Sequence, residues 1–249
     1  MKKPTVSVVI PASNEEGFII RAIESVRRDR SAECEIIVVV NGSHDKTSFI
    51  ANELADRCMT FVGAIGPAQA RNAGASIANG EVLLFVDADA EILPGTISAV
   101  EKICVPDSFG TVLGHPEDSK ISHKIYLGFK NFVHKSGFYH GTVDGVMFAD
   151  KHLFTKLQGF KSEKSPDEFY DFSRRARGAG AKYLVLRRPH VIVSMRRFRR
   201  EGFVRTFWLW VRIRSAVLLG GNTDAYLGQY FHGLVASERK IRPPWRKAF

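Results

Sequence analysis

An apolar run ends in two aspartates one residue apart in Val82-Leu83-Leu84-Phe85-Val86-Asp87-Ala88-Asp89. A strand that delivers Asp87 and Asp89 to the edge of a sheet offers carboxylate oxygens to a hard divalent cation, and such a cation can hold a diphosphate. Taken alone, the pair also reads as a solvated strand end in which Asp89 caps a turn. Two more polar clusters follow apolar runs: Pro11-Ala12-Ser13-Asn14-Glu15-Glu16 and Asn41-Gly42-Ser43-His44-Asp45. In an open parallel sheet ligands bind beyond the carboxyl ends of the strands, so the three clusters are expected to converge on one cleft. The eight histidines include no HxH or HExxH spacing, and only His190 invites consideration as a further ligand. Cys34, Cys58 and Cys104 are an odd set without CxxC spacing, which indicates neither a disulfide framework nor a cysteine zinc site and suits a reducing cytosol.

The elements that must position these residues follow from hydrophobic patterning. β-branched runs at Val6 to Ile10, Glu35 to Val40, Met59 to Val62 and Val82 to Val86 read as strands. Between them, Glu15 to Arg28, Asp45 to Arg57 (apolar Phe49, Ile50 and Leu54 on one face) and Pro67 to Asn79 read as helices, the pattern of βαβ units. Near-continuous apolar strands suit a sheet covered on both faces. Further on, helices are expected at Ile97 to Cys104, Ile121 to Ser136 (with Ile125, Phe129, Phe132 and Val133), Asp171 to Ala179, Phe203 to Leu219 and Asp224 to Ser237. Strands are expected at Thr111 to Leu113 and Val143 to Ala149.

The ASNEE cluster, the NGSHDKT cluster and the stretch GPAQARNAGASIANGEVLLFVDADA together resemble glycosyltransferase family 2, inverting enzymes of the GT-A fold. The family pattern runs PxYNEE, then DDGSxDxT, then GxxxARNxGxxxAxGExxxFxDxD; the resemblance is dense over residues 5 to about 94 and looser to about 214. It implies that Pro11, Ser13, Asn14 and Glu15 line a nucleobase pocket, with Ser13 standing where the family has tyrosine and so removing a stacking ring. Asn41 replaces the second Asp of DDGS, and its amide, a donor and an acceptor, suits a base edge; Val40 replaces the first Asp. Asp45 fits the later Asp of that motif or caps the helix after it. Arg71 approaches the ribose or diphosphate, and the alanines and Gly74 let helix and strand pack closely. Asp89 becomes the metal ligand and Asp87 a contact to ribose or metal, with Ala88 between them, and the ion, Mn2+ or Mg2+, neutralises the leaving nucleoside diphosphate.

Inverting transfer needs a base for the acceptor hydroxyl. The family places it in an acidic pair before DL, and aligning Asp171-Phe172 with DL puts Glu168 on the first acid and Phe169 on the second. Glu168 is therefore the favoured base and Asp167 the alternative, while ion pairing with nearby arginines is an open structural role for both. Gly145 to Ala149 and Leu157-Gln158-Gly159-Phe160 resemble the acceptor-side strand and GGF turn, and Asp144 is a candidate to line that face.

Of 249 residues, 45% are hydrophobic and 25% charged, ordinary for a globular chain and excluding a disordered tail. The net charge of +10 is uneven: residues 1–119 hold 10 Lys and Arg against 17 acids, net −7, and residues 120–249 hold 26 against 9, net +17. Such a basic half points to an anionic partner. Arg187 to Arg214 contains nine arginines interleaved with Phe198, Phe203, Phe207, Trp208 and Trp210, a composition open to a membrane surface, a nucleic-acid strand, a donor diphosphate or packing on the catalytic domain. No run of 18 apolar residues predicts a spanning helix, and the amino-terminal stretch reads as a strand, not a signal peptide.

The expected architecture is α/β, GT-A type: a Rossmann-like, mostly parallel sheet flanked by helices, with a basic helical C-terminal extension. Residues 1–188 would form the catalytic domain (1–94 nucleotide-sugar-binding, 95–188 acceptor-binding) and 189–249 the extension. The expected partners are a UDP- or GDP-sugar donor and a saccharide or lipid-linked acceptor, in the cytoplasm with a possible peripheral membrane contact and no nucleic acid. A nucleotidyltransferase is the enzymatic rival, but ASNEEGF lacks its glycine-rich, lysine-bearing loop. A nucleic-acid-binding module is the rival from another class, and the DAD acids argue against it.

Overall fold

The computed structural model describes residues 4–29, 33–137, 145–161 and 168–218. By its internal contacts the chain divides into two units, Met1–Met195 and Arg196–Phe249.

The first unit is built on an eight-stranded sheet: β1 (Val6–Ala12), β2 (Cys34–Asn41), β3 (Arg57–Phe61), β4 (Val82–Phe85), β5 (Glu91–Ile92), β6 (Ser108–Pro116), β7 (Met147–Asp150) and β8 (Lys182–Val193). Their spatial order is β3-β2-β1-β4-β7-β6-β8-β5. The first four strands are parallel, β7 runs antiparallel to both β4 and β6, and β8 is parallel to β6. Apart from Pro11 every residue of β1, β2 and β4 is buried, as the continuous Val, Ile and Leu runs require of strands covered on both faces.

The helices are α1 (Ile19–Arg28), α2 (Thr47–Leu54), α3 (Pro67–Ile77), α4 (Thr96–Ile103), α5 (Ile121–Lys135), α6 (Lys151–Lys156) and α7 (Glu168–Gly178). Proline opens α3, its missing N–H falling where the helix has no partner for one. α3 packs on β1 and β2, α4 on β8 and α5 on β6. Gly74 of α3 fits the close approach expected of it: a Cβ there would stand 2.4 Å from Val9 Cγ1. Below the sheet's carboxyl edge, Phe85, Phe109, Phe154, Phe160, Phe169 and Phe172 form an aromatic cluster with ring centroids 5.1 to 5.9 Å apart.

Several elements differ from expectation. Residues 15–18 turn before α1 begins, and Arg57 belongs to β3 rather than to the helix before it. β8 is a twelve-residue strand where the sequence suggested the start of a basic extension, and the expected junction at 188/189 falls inside it. α5 forms as expected but buries His123, Leu127, Asn131 and His134, leaving Ile125, Phe129 and Phe132 exposed. The polar residues go inward because partners wait there: Asn131 donates to Gly114 O (2.9 Å) and accepts from Gly114 N (3.2 Å), and His134 Nδ1 lies 2.8 Å from the Tyr183 hydroxyl. Phe49 of α2 is likewise exposed.

The second unit contains α8 (Arg196–Glu201) and α9 (Phe203–Leu218), joined at Gly202, with the Phe198 and Phe203 rings 5.4 Å apart. Among the described residues no helix is long and apolar enough to cross a membrane. The helix expected at Asp224 to Ser237 lies outside them.

Candidate active site

The loops after β1 and β2 are laced together. Asn14 sits in the left-handed region (φ 53°), which Asn tolerates better than most residues, donates its N–H to Ser43 Oγ (3.0 Å) and accepts from His44 N through Oδ1 (2.8 Å). Glu15 is buried and donates its N–H to Thr47 Oγ1 (2.8 Å). Asp45 takes the N–H and hydroxyl of Thr47 on Oδ1 and the Glu16 N–H on Oδ2 (3.1 Å), so its carboxylate serves the join between the two loops. Pro11 is half-buried in β1 and Ser13 is exposed.

Asn41, at the end of β2, is buried and accepts from Ile65 N at 2.6 Å. Because Ile65 offers an N–H, the atom facing it is Oδ1, which leaves the amide Nδ2 as the donor available to a ligand.

Arg71 carries the centre of the site. Its guanidinium is buried, lies 4.5 Å from the Phe169 ring centroid, and reaches Asp87 Oδ1 through Nη2 (2.5 Å) and Glu168 Oε1 through Nη1 (2.6 Å). Burial works against its charge, but the two carboxylates outweigh burial and hold the proton more tightly than in water. Its Nε is buried without a partner. One side chain from α3 thus joins the acid that follows β4, 16 residues from Arg71 in sequence, to the acid that opens α7, 97 residues from it. Among the described residues the second oxygen of Glu168, Oε2, makes no hydrogen bond.

Asp87 is confined from a second side. A Cβ on Gly145, whose φ is +80°, would lie 1.7 Å from Asp87 Oδ2. The turn that follows, closed by Ala90 N donating to Asp87 O (3.0 Å), buries Ala88 and leaves Asp89 half-exposed. Asp87 and Asp89 therefore supply hard oxygen donors at the end of β4, the donor chemistry that would suit a divalent cation such as Mg2+ or Mn2+. Asp107, Asp150 and His152, whose potential ligand atoms lie within 4.8 Å of one another, stand at the other end of the sheet, where Asp150 pairs with Val82 and caps α6 by accepting from His152 N and Leu153 N.

Sequence reasoning missed the supports of this centre. Asn72, beside Arg71, accepts from Phe160 N (2.9 Å) and donates to Phe160 O (2.7 Å), while Arg175 of α7 donates to Leu157 O, Gly159 O and Asp171. Asn72 stood in the ARN motif, so its importance was visible and its partner was not. Asp167 and Asp144 lie outside the described residues. His190 packs edge-on against His115, with ring centroids 4.2 Å apart.

Comparison with known proteins bears on the family and the fold. The chain is 32% identical over 103 residues to the Campylobacter jejuni GalNAc(5)-diNAcBac-PP-undecaprenol beta-1,3-glucosyltransferase (39% of this chain, 33% of the relative), and 33% identical over 94 residues to an uncharacterized glycosyltransferase of Haemophilus influenzae (36% and 38%). It thus spans a little over a third at most of the length of these relatives. Among solved structures it is similar to the mannosyltransferase PcManGT of Pyrobaculum calidifontis in complex with GDP-Man and Mn2+ (TM-score 0.62, 19% identity, 77% of this chain and 57% of that one). It is also similar to residues 1–349 of S. aureus TarS in complex with UDP-GlcNAc (TM-score 0.59, 20% identity, 76% and 58%). The fold is the GT-A arrangement of these enzymes. With a family model matching residues 7–152, more than half of its length, the chain belongs to glycosyl transferase family 2.

Proposed function

We propose that this chain transfers a sugar, with inversion, from a nucleotide-diphospho-sugar to an acceptor hydroxyl, assisted by a divalent cation. The observation that carries the reading is the Asp87–Arg71–Glu168 constellation, in which a donor-side acid and an acceptor-side acid are fixed by one buried guanidinium. Asn14, Glu15 and Asn41 border the nucleotide, with Asn41 Nδ2 donating to a base carbonyl and the exposed Ser13 leaving one face of the base without an aromatic ring. A Mg2+ or Mn2+ ion held by Asp89 and Asp87 would neutralise the leaving nucleoside diphosphate. Glu168 accepts the proton of the acceptor hydroxyl on Oε2 as that oxygen bonds to the anomeric carbon and the bond to the diphosphate breaks; Asp167 is the alternative base. The Campylobacter relative's name supports a saccharide acceptor on a lipid diphosphate, the bound ligands of the two structural neighbours support a UDP- or GDP-sugar donor, and the Mn2+ of the PcManGT complex supports a divalent cation.

Calorimetric titration with UDP and GDP, with and without Mn2+, tests this directly. Cation-dependent binding is expected to fall about tenfold or more in Asp89→Ala. A wild-type chain that binds neither nucleotide would sink the reading. Glu168→Gln should keep nucleotide binding and lose transfer, whereas retained transfer in Glu168→Gln and loss in Asp167→Asn would assign the base to Asp167.

A further inference from the structure

A second polar pocket lies on the same edge of the sheet. It has a volume of about 750 Å³, and among its lining residues are His115 at the end of β6, Asn131 and Lys135 of α5, and Arg187, Arg188 and His190 of β8. Between Leu186 and Val191, which pair with Val112 and Gly114, β8 spends four residues where β6 spends one, Leu113. This bulge carries Arg187, Arg188 and His190 out of the ladder and into the pocket.

The charge there is one-sided. Among the described residues no carboxylate lines the pocket, and Lys135, Arg187 and Arg188 make no ion pair. Glu117, the acid next along from His115, is engaged by Ser194 Oγ (3.1 Å) and Met195 N (2.7 Å). Burial, then the charges of His115, Arg188 and Lys135, hold the His190 imidazole below its ordinary value. Three cations crowded without a counter-charge cost free energy that an anion would recover.

Strand register separates this pocket from the centre at Asp87. Phe85 pairs with Met147, Met147 with Thr111, and Thr111 with Val185, so Asp87 and Arg187 each lie two residues beyond one common level. Three strand spacings lie between them, roughly 14 Å. An anion here is therefore not the donor diphosphate, yet it faces the same cleft edge.

α5 says where such an anion would come from. Ile121, Ile125, Phe129 and Phe132 are 62 to 75% exposed. At about 100° per residue they form one stripe, with Lys124 and Lys135 along its border on the side that leads to the pocket. An apolar stripe edged by lysines is the pattern of a helix lying in a bilayer interface, and here that helix also lines a cationic pocket.

We propose that this pocket binds the phosphoryl group of a lipid-borne acceptor, with the α5 stripe resting in the bilayer that holds the lipid. The proposal rests on the transfer reading above and names its acceptor class. The separation from Asp87 leaves room for sugar units between the anchored phosphoryl group and the hydroxyl that reacts.

The test titrates inorganic diphosphate into the full chain already saturated with UDP and Mn2+, alongside Arg187→Ser/Arg188→Ser. Diphosphate binding is expected in the wild type and about tenfold weaker or absent in the double variant, with UDP affinity unchanged. No binding to the wild type, or equal binding to both, overturns the pocket. Co-sedimentation with phosphatidylcholine vesicles, plain or containing a polyprenyl diphosphate, identifies the source. Retention only on the diphosphate vesicles, lost in Phe129→Ser/Phe132→Ser while soluble diphosphate still binds, supports the lipid carrier. Equal retention on both vesicle types, or on neither, overturns the lipid source in favour of a free phosphate compound. UDP affinity reads the donor site separately, so its failure is distinguishable from failure of the pocket.

Discussion

Gly145 shows how strongly one side chain of the site depends on a residue that contributes none. Any Cβ there would overlap Asp87 Oδ2, and the backbone at φ +80° disfavours other residues by about 1–2 kcal/mol. Gly145→Ala is expected to displace Asp87, lowering the melting temperature modestly and cation-dependent UDP affinity more. Near-wild-type affinity in that titration would contradict the packing argument. Arg71 makes the complementary point. Its planar fork reaches two carboxylates while stacking on Phe169, and a lysine ammonium cannot do all three. Arg71→Lys should therefore fold, as judged by circular dichroism, yet lose about 100-fold in kcat/KM, the scale of loss produced by small misplacements of reacting groups.

At the scale of elements, α5 and β8 reversed what their sequences suggested. Hydrophobic patterning turns the phenylalanines of α5 inward. The fold turns Asn131 and His134 inward instead, because their hydrogen-bonding partners, Gly114 and Tyr183, lie 17 and 49 residues away in sequence. Asn131→Ala would leave the Gly114 N–H and C=O unpaired, each costing about 1–3 kcal/mol, and a urea midpoint shifted down accordingly is the expected result. β8 was hidden by its arginines and by Pro189, which argue against an interior strand. Its bulge resolves the conflict by lifting Arg187, Arg188 and Pro189 out of the ladder. By contrast β1, β2, β4 and α3 were legible to within a few residues, because continuous β-branched runs and a proline-opened helix are local signals.

Across the whole molecule, the sheet, the active-site candidates and the basic pocket all lie within residues 4–195 of the first unit. A chain ending at residue 195 is expected to unfold cooperatively and bind UDP with unchanged affinity; a thermal melt without a transition would contradict this. The charge asymmetry also acquires places. Acids of the −7 half include Asp87 and Asp89 at the end of β4, and the +17 half supplies Lys135, Arg187 and Arg188 of the second pocket. The sequence alone determined the family and the parallel β1–β4 scaffold and singled out Asp87, Arg71 and Glu168 as candidates, since each rests on residue types at short, fixed spacings. Only the tertiary structure decided that Arg71 ties the two acids together, that Gly145 confines Asp87, that Asn41 has its donor left for a ligand, and that α5 turns its apolar face outward. Those facts depend on pairings between distant segments, whose hydrogen bonds and close contacts exist only once the strands have taken their order in the sheet.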